Sequence, residues 1–153
     1  MILQTPAIRL ARPSDLSAIQ RTVEAAYQPY IARIGSRPAP MDDDYAARVH
    51  RGEAHVIESA GRIVGLLVLV VESETMLLDN IAIDPAAQGT GLGRVLLDFA
   101  ETTAIARGST AIRLYTNAAM IENVEIYRRR GYKETHRGEE LGFHRIYMRK
   151  ALH

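Results

Sequence analysis

The chain has no cysteine, only two lysines, no strong excess of either charge and no long apolar run. Without cysteine there are no disulfides, thiolate metal sites, iron–sulfur clusters or cysteine nucleophile. The apolar stretch Gly65–Val71 has the length of a buried strand, far below the roughly 18 residues a membrane helix needs. Lys133 and Lys150 are the two lysines, so few ammonium groups are present to hold a nucleotide's phosphates. Nineteen Lys and Arg against 18 Asp and Glu leave a net charge of +1, which argues against a nucleic-acid binder working by bulk charge. Met1 to Arg12 lacks a cationic segment followed by a long apolar one, so no signal peptide is expected and the expected location is cytoplasmic.

What is present suits one globular unit. The 153 residues, 47% of them apolar, are enough to hide about 68–70% of the unfolded surface, and a single domain over residues 7–150 is expected. Ile8–Arg12 alternates as a short strand, and Pro13-Ser14-Asp15 opens a helix to about Tyr27, with Leu16, Ile19, Val23 and Ala26 at helical spacing. Pro29–Met41 reads as loop or broken helix, and Asp42–Asp44 as cap and acidic first turn of a helix to about Val49. Strands follow at Ala54–Ser59, Ile63–Glu72 and Met76–Ile83, the run Leu66–Val71 being expected to lie covered on both faces. Pro85 cannot donate to a ladder, so pairing should stop at Asp84-Pro85. A helix from Gly91 to about Arg107 ends at Gly108, a strand spans Ala111–Thr116, and a helix over Ala119–Arg130 ends at Gly131. Tyr132–Thr135 and Phe143–Arg149 are the last strands. The order predicts a mixed α+β fold, a mostly antiparallel sheet flanked by helices, with one βαβ crossover over Met76–Thr116.

Chemistry is concentrated in the segment Ile81 to Arg94. A strand runs into Gln88-Gly89-Thr90-Gly91-Leu92-Gly93 and then into a helix. Alternating glycines let backbone N–H groups turn outward with no Cβ in the way. The helix adds its unpaired amides and the positive end of its dipole, and Arg94 adds a mobile cation, so the segment suits a phosphate. A nucleoside-triphosphatase loop would need Lys-Ser or Lys-Thr, but Arg94 stands at the lysine position. A dinucleotide fingerprint would need a small residue where Arg94 stands, and would come earlier in the chain.

The third option is Gln/Arg-x-x-Gly-x-Gly/Ala, met by Gln88–Gly93. Together with the preceding strand, the following amphipathic helix and the helix end Ile126–Tyr132, it resembles the GNAT superfamily of acetyl-CoA-dependent N-acetyltransferases from about Ala7 to Lys150. The resemblance implies that the strand Leu78–Ile83 splays from a parallel neighbour, Ala111–Thr116. Pantetheine then lies along Ile81, Ala82 and Ile83, and the pyrophosphate sits on the amides of Gly89 to Arg94, with Gln88 at the loop's start. It implies acetyl-CoA as cosubstrate, and it leaves a homodimer open, since family members often dimerise.

With neither cysteine nor a G-x-S-x-G elbow, direct attack of an amine on the thioester is the simplest route. Position-for-position resemblance makes Tyr127 the donor to the leaving thiolate. Many family members carry an asparagine seven residues earlier, where this chain has Met120. Asn123 or Asn117 is therefore the candidate to serve the cofactor, against plain surface and capping roles. Asp79 is the acidic candidate for the base, with Glu74 just before the strand; a water chain to backbone carbonyls competes. Tyr27, Tyr30, the Arg33–Met41 loop and Gly142–Arg145 are candidates to border the acceptor cleft. Asp42–Asp44 would attract a cationic substrate or simply favour a helix N-terminus. His50 and His55 lack zinc-helix spacing, and His136, His144 and His153 form no local set, so no metal is expected. Arg128–Arg130 reads as a solvated helix end. The rival to an enzyme is a non-catalytic acyl-CoA-binding module of the same fold.

Overall fold

A computed structural model describes residues 6–152. Met1–Thr5, on which the leader expectation partly rests, and His153 lie outside the described residues. The strands are β1 (Ala7–Leu10), β2 (Ala54–Ser59), β3 (Arg62–Val71), β4 (Thr75–Ile83), β5 (Ala111–Asn117), β6 (Lys133–Glu140) and β7 (Phe143–Ala151). The helices are α1 (Leu16–Tyr27), α2 (Tyr30–Ile34), α3 (Tyr45–His50), α4 (Leu92–Ala106) and α5 (Ile121–Arg129). The hydrogen-bonded strand order is β1-β2-β3-β4-β5-β7-β6. The β4–β5 pair is parallel, while β1–β2, β2–β3, β5–β7 and β6–β7 are antiparallel. This is the mixed α+β fold the sequence predicts.

By contact the chain forms two compact units, one running up to Leu69 and including Asn80–Ala100, the other made of Val70–Asp79 and the chain from Glu101 onward. In the first unit Ile19 and Val23 of α1, Val56 and Ile57 of β2, Leu66–Val68 of β3 and Leu96 of α4 are fully buried. Ile19, Val23 and Leu96 are positions that helical spacing marks, and Leu66–Val68 belong to the continuous apolar run. Covering of the β3 run on both faces holds only for Leu66–Leu69, because Val71 at the strand end is 55% exposed. Gly65 has no room to be anything else: a Cβ there would stand 2.6 Å from Ile57 Cγ2 and 3.2 Å from the Ala82 carbonyl. Ala60 and Gly61, both at positive φ, make the two-residue turn between β2 and β3.

An arginine clasp ties β1, the turn before α1, and β2. Arg9 grips Asp15 with two N–H groups at 2.7 and 3.0 Å and Glu58 with Nε at 3.0 Å. Asp15, 7% exposed, also accepts the Arg12 N–H, and the bonds from Arg9 pull its carboxyl down to about 2. A depressed carboxyl stabilises the fold above its unfolded pKa near 4 and loses that contribution as pH falls towards 2. Two pK units correspond to about 2–3 kcal/mol, and the partial exposure of Arg9 sets the expectation at about 2. Asp15→Asn should therefore lower unfolding stability by about 2 kcal/mol at pH 7, and the gap should close between pH 4 and 2 in denaturant titrations. A gap that stays constant over that window would show that the loss is packing, not charge.

In the second unit the parallel register runs from Thr75↔Ala111 to Leu78↔Leu114. Glu101 of α4 accepts from Arg130, just after α5, at 2.7 Å and from Lys150 of β7 at 2.6 Å. Gly108 and Gly131 take positive φ where α4 and α5 stop, as their positions in the sequence predict. Two elements differ from expectation. The helix predicted from Asp42 starts at Tyr45, because Asp42 closes a 3-10 turn and Asp44 is the cap, accepting the Ala47 N–H at 3.0 Å. Strand β6 runs to Glu140 instead of stopping near Thr135, although all its residues are exposed. Its ladder with β7, interrupted by a bulge between Glu134 and His136, supplies what side-chain alternation does not.

Candidate functional site

The first unit carries the glycine loop. Strand β4 ends where Asp84 turns the chain, its N–H bonded to the Val64 carbonyl and its side chain accepting the Ala86 N–H. A 3-10 turn over Pro85–Ala87 leads to Gln88, whose side-chain amide donates back to the Ile83 carbonyl at 3.2 Å. Thr90 donates its hydroxyl to the Ala87 carbonyl, which folds the loop on itself. Gly89 and Gly91 sit at φ +79° and +86°, and a Cβ on either would meet nothing within 4 Å. Gly91 caps α4 by accepting the Val95 N–H.

The backbone N–H groups of residues 89–94 donate to no acceptor among the described residues. Unpaired amides at the start of a 15-residue helix, with Gly89 and Gly91 open and Arg94 next in sequence, are the groups from which an anion site is built. Those residues fit the diphosphate of a coenzyme A molecule: the amides it would bond are unpaired, and Gly89 and Gly91 put no Cβ in its way.

The same unit holds a buried polar chain that the sequence reading did not assemble. Asn80, only 4% exposed, occupies a core position of β4 between Leu78 and Ala82. Its side-chain oxygen accepts from the Tyr27 hydroxyl, which also lies 3.3 Å from the Ile81 carbonyl. Its amide donates to Tyr45 Oη at 3.0 Å, and Tyr45 in turn donates to the Pro40 carbonyl. The hydroxyl donor on one side and the amide donor on the other leave one orientation for the Asn80 amide, and the chain ties α1 and α3 to the strand of Ile81–Ile83. The available signal was an asparagine in an apolar alternation, which a buried strand tolerates only with partners.

Tyr127, Asn123, Asn117 and Asp79 lie in the second unit. Tyr127 is buried on α5 with its ring edge-on to Tyr132 at 5.8 Å. Its hydroxyl has no hydrogen-bond partner among the described residues, and burial pushes its pKa well above the ordinary tyrosine value. The phenol is therefore held protonated and able to donate. Asn123 is half-buried one turn earlier, on the same helix face as Tyr127. Met120, where many family members carry asparagine, is buried at the N-cap of α5. Asn117 ends β5 and uses Oδ1 to accept the Ala119 N–H at 2.9 Å.

Asp79, half-buried on β4, accepts the hydroxyl of Tyr115 from β5 at 2.8 Å. Glu74 lies on the exposed turn before that strand. The three acids of Asp42–Asp44 are each taken locally, by Arg37, by Arg48 and by the Ala47 amide, as a helix-start role requires. Tyr30 carries Arg33 over its ring at 5.0 Å, and His55 packs against Phe99. No group of three or more His, Asp or Glu that could hold a metal occurs among the described residues. No helix among them is long and apolar enough to cross a membrane.

Comparison with known proteins adds three findings. The model of the acetyltransferase (GNAT) family matches residues 19–132. No curated protein matches the sequence. Among solved structures, the ribosomal-protein-S18-alanine N-acetyltransferase of Escherichia coli is 20% identical, with a TM-score of 0.79 over 97% of this chain and 94% of that one. The paia N-acetyltransferase of Thermoplasma acidophilum, in complex with coenzyme A, is 15% identical, with a TM-score of 0.81 over 97% and 99%. A GCN5-related N-acetyltransferase from Rhodopseudomonas palustris is 23% identical, with a TM-score of 0.82 over 99% of both chains. At these identities the structures speak for the fold.

Proposed function

Because the chain belongs to the acetyltransferase (GNAT) family, we propose that it moves the acetyl group of acetyl-CoA directly to a primary amine, with no covalent enzyme intermediate. The observation that carries this reading is the row of unpaired amides over residues 89–94, with Gly89 and Gly91 at positive φ and no Cβ in front of them. In this reading those amides and Arg94 take the diphosphate. The backbone of Ile81–Ile83 receives the pantetheine amides by strand addition. The Gln88 amide on the Ile83 carbonyl and the Tyr27 hydroxyl near the Ile81 carbonyl hold that strand in shape. Carbonyl oxygens carry two lone pairs, so both remain able to accept from a ligand.

An alkylammonium of pKa about 10.4 is almost entirely protonated at pH 7, a handicap of roughly 4–5 kcal/mol that a base or desolvation must offset. The base in this reading is Asp79. The neutral nitrogen then forms a bond to the thioester carbonyl carbon, the C–S bond breaks, and sulfur leaves with the electron pair. Of the two protons the ammonium loses, one goes to the base and the other ends on the thiolate or in solvent. Tyr127 donates a hydrogen bond to the departing sulfur; its raised pKa makes full transfer uphill, so its contribution is the hydrogen bond itself.

The test is thiol release from acetyl-CoA across a panel of amines, with the acetylated product identified by mass spectrometry. Amine-dependent release supports the reading. Coenzyme A binding with no release on any amine would favour a non-catalytic acyl-CoA-binding module instead.

A further inference from the structure

Within the second unit the half-exposed face of β5, β7 and β6 carries an ordered row of polar and aromatic groups. Cross-strand register places Tyr147 opposite both Tyr115 and His136, and Arg145 opposite Asn117. Directly opposed residues share a face. The intervening Ile146 and Met148 of β7 are buried on the other side.

Arg145 is held in place unusually firmly for a side chain near a hairpin end. Its guanidinium stands 4.4 Å from the centre of the Tyr115 ring, and its side chain is only 11% exposed. One nitrogen, Nη1, donates to Glu140 at 3.0 Å, and the same carboxylate oxygen accepts the Tyr147 hydroxyl at 3.1 Å. Glu140 is itself 57% exposed, so it tethers the arginine from the rim. Nε and Nη2 of Arg145 meet no acceptor among the described residues. Opposite it, Asn117 spends its oxygen on the Ala119 N–H, which leaves its side-chain N–H groups, also without an acceptor among the described residues, as the free function. A nearly buried planar guanidinium with unused donors beside a free amide is a donor set matched to a carboxylate.

At the other end of the same tyrosine the sign reverses. The Tyr115 hydroxyl donates to Asp79, and that carboxylate is the group the reaction above uses to take the ammonium proton. One phenol ring is thus flanked by a cation on its face and an anion at its hydroxyl.

We propose that the acceptor is an amino acid, an amine that itself carries a carboxylate, with Arg145 and Asn117 taking the carboxylate and Asp79 the ammonium. Tyr115 is the positioning residue that spaces the two charges. The inference rests on the acetyl-transfer reading and adds the substrate class to it. A polyamine or other amine without an acid group leaves the Arg145 donors unpaired and brings a second positive charge to them, which the site disfavours.

The experiment compares free amino acids with their carboxamides and with the corresponding decarboxylated amines, by thiol release. A carboxamide's amine is less basic, with an α-amino pKa near 7.7–8.0 beside an amide, so intrinsic reactivity at pH 7 favours it. A preference for the acid then reports recognition. We expect kcat/KM for the best amino acid to exceed that of its carboxamide by about tenfold or more. Arg145→Gln should erase the preference by raising KM for the acid about tenfold more than KM for the carboxamide, and Arg145→Lys should restore part of it. Coenzyme A affinity reports whether each variant is folded; if Arg145→Gln is not, Arg145→Lys carries the comparison, with partial loss of the preference expected. Equal use of acid and carboxamide by the wild type, or an equal loss on both in the folded variant, would overturn the inference and leave acetyl transfer standing. Absence of release with every amine would overturn both.

Discussion

Gly91→Val is expected to weaken coenzyme A binding by about 100-fold or more while lowering the melting temperature by only a few degrees. Gly91 holds φ +86°, a region that a β-branched residue enters only with strain of about 1–3 kcal/mol. Because nothing lies within 4 Å of a Cβ there, the valine meets no packing clash. The folded protein can relieve the strain by rotating the loop, and the amides of residues 89–94 then lose their common arrangement. Each charge-assisted hydrogen bond is worth about 1.5–3 kcal/mol, so losing even two gives a factor of at least 100. For a chain of this size, 1–2 kcal/mol of residual strain shifts Tm by about 2–8 °C. Calorimetric titration with coenzyme A beside a thermal melt separates the two effects. A collapse in Tm with affinity intact in the surviving fold would make the loop a structural turn and not an anion site.

Tyr127→Phe is expected to reduce kcat by about 100-fold, with KM for acetyl-CoA changed less than threefold. The phenylalanine keeps the edge-on packing against Tyr132 and removes only the hydroxyl, so what is lost acts in the transition state, at the low end of the 10²–10⁴ range for a proton-handling group. The wild-type rate should show no inflection from this phenol up to pH 10, since burial raises its pKa. The same shift has a stability consequence. A tyrosine whose folded pKa lies above its unfolded value near 10 contributes fully below pH 10 and loses that contribution as pH rises beyond it. Tyr127→Phe should flatten part of the alkaline loss of stability; buried Tyr132, shifted the same way, keeps the remainder. If kcat is unchanged in the variant, the donor to sulfur lies elsewhere.

Much of the fold was legible because its signals are local. Strand β4 ends where Asp84-Pro85 says it should, α4 and α5 stop at glycines of positive φ, and α1 buries Ile19, Val23 and Ala26 of the four residues its spacing marks, with Leu16 half-buried. The glycine loop was legible for the same reason: φ/ψ permission and the absence of Cβ are properties of single residues. Strand β6 was only half legible, since Lys-Glu-Thr-His-Arg-Gly-Glu-Glu has no apolar alternation and is ordered by pairing with β7.

The side-chain partnerships were not legible. Tyr27 and Asn80 are 53 residues apart, Asp79 and Tyr115 are 36 apart, and no periodicity relates them. Asp42–Asp44 could be read as a lure for a cationic substrate until each acid was found with its own local partner. Arg145 was one of several cleft-border candidates; only its place over Tyr115 singles it out.

What the amino-acid order determined alone is therefore the glycine loop with its open backbone donors at the start of α4, since such donors need only the right dihedrals and a helix to start. Which carboxylate meets which phenol, and which arginine keeps unused donors, was decided by tertiary packing. Those pairings depend on strand register and burial, which bring distant residues within hydrogen-bond reach and remove the water that would otherwise satisfy them.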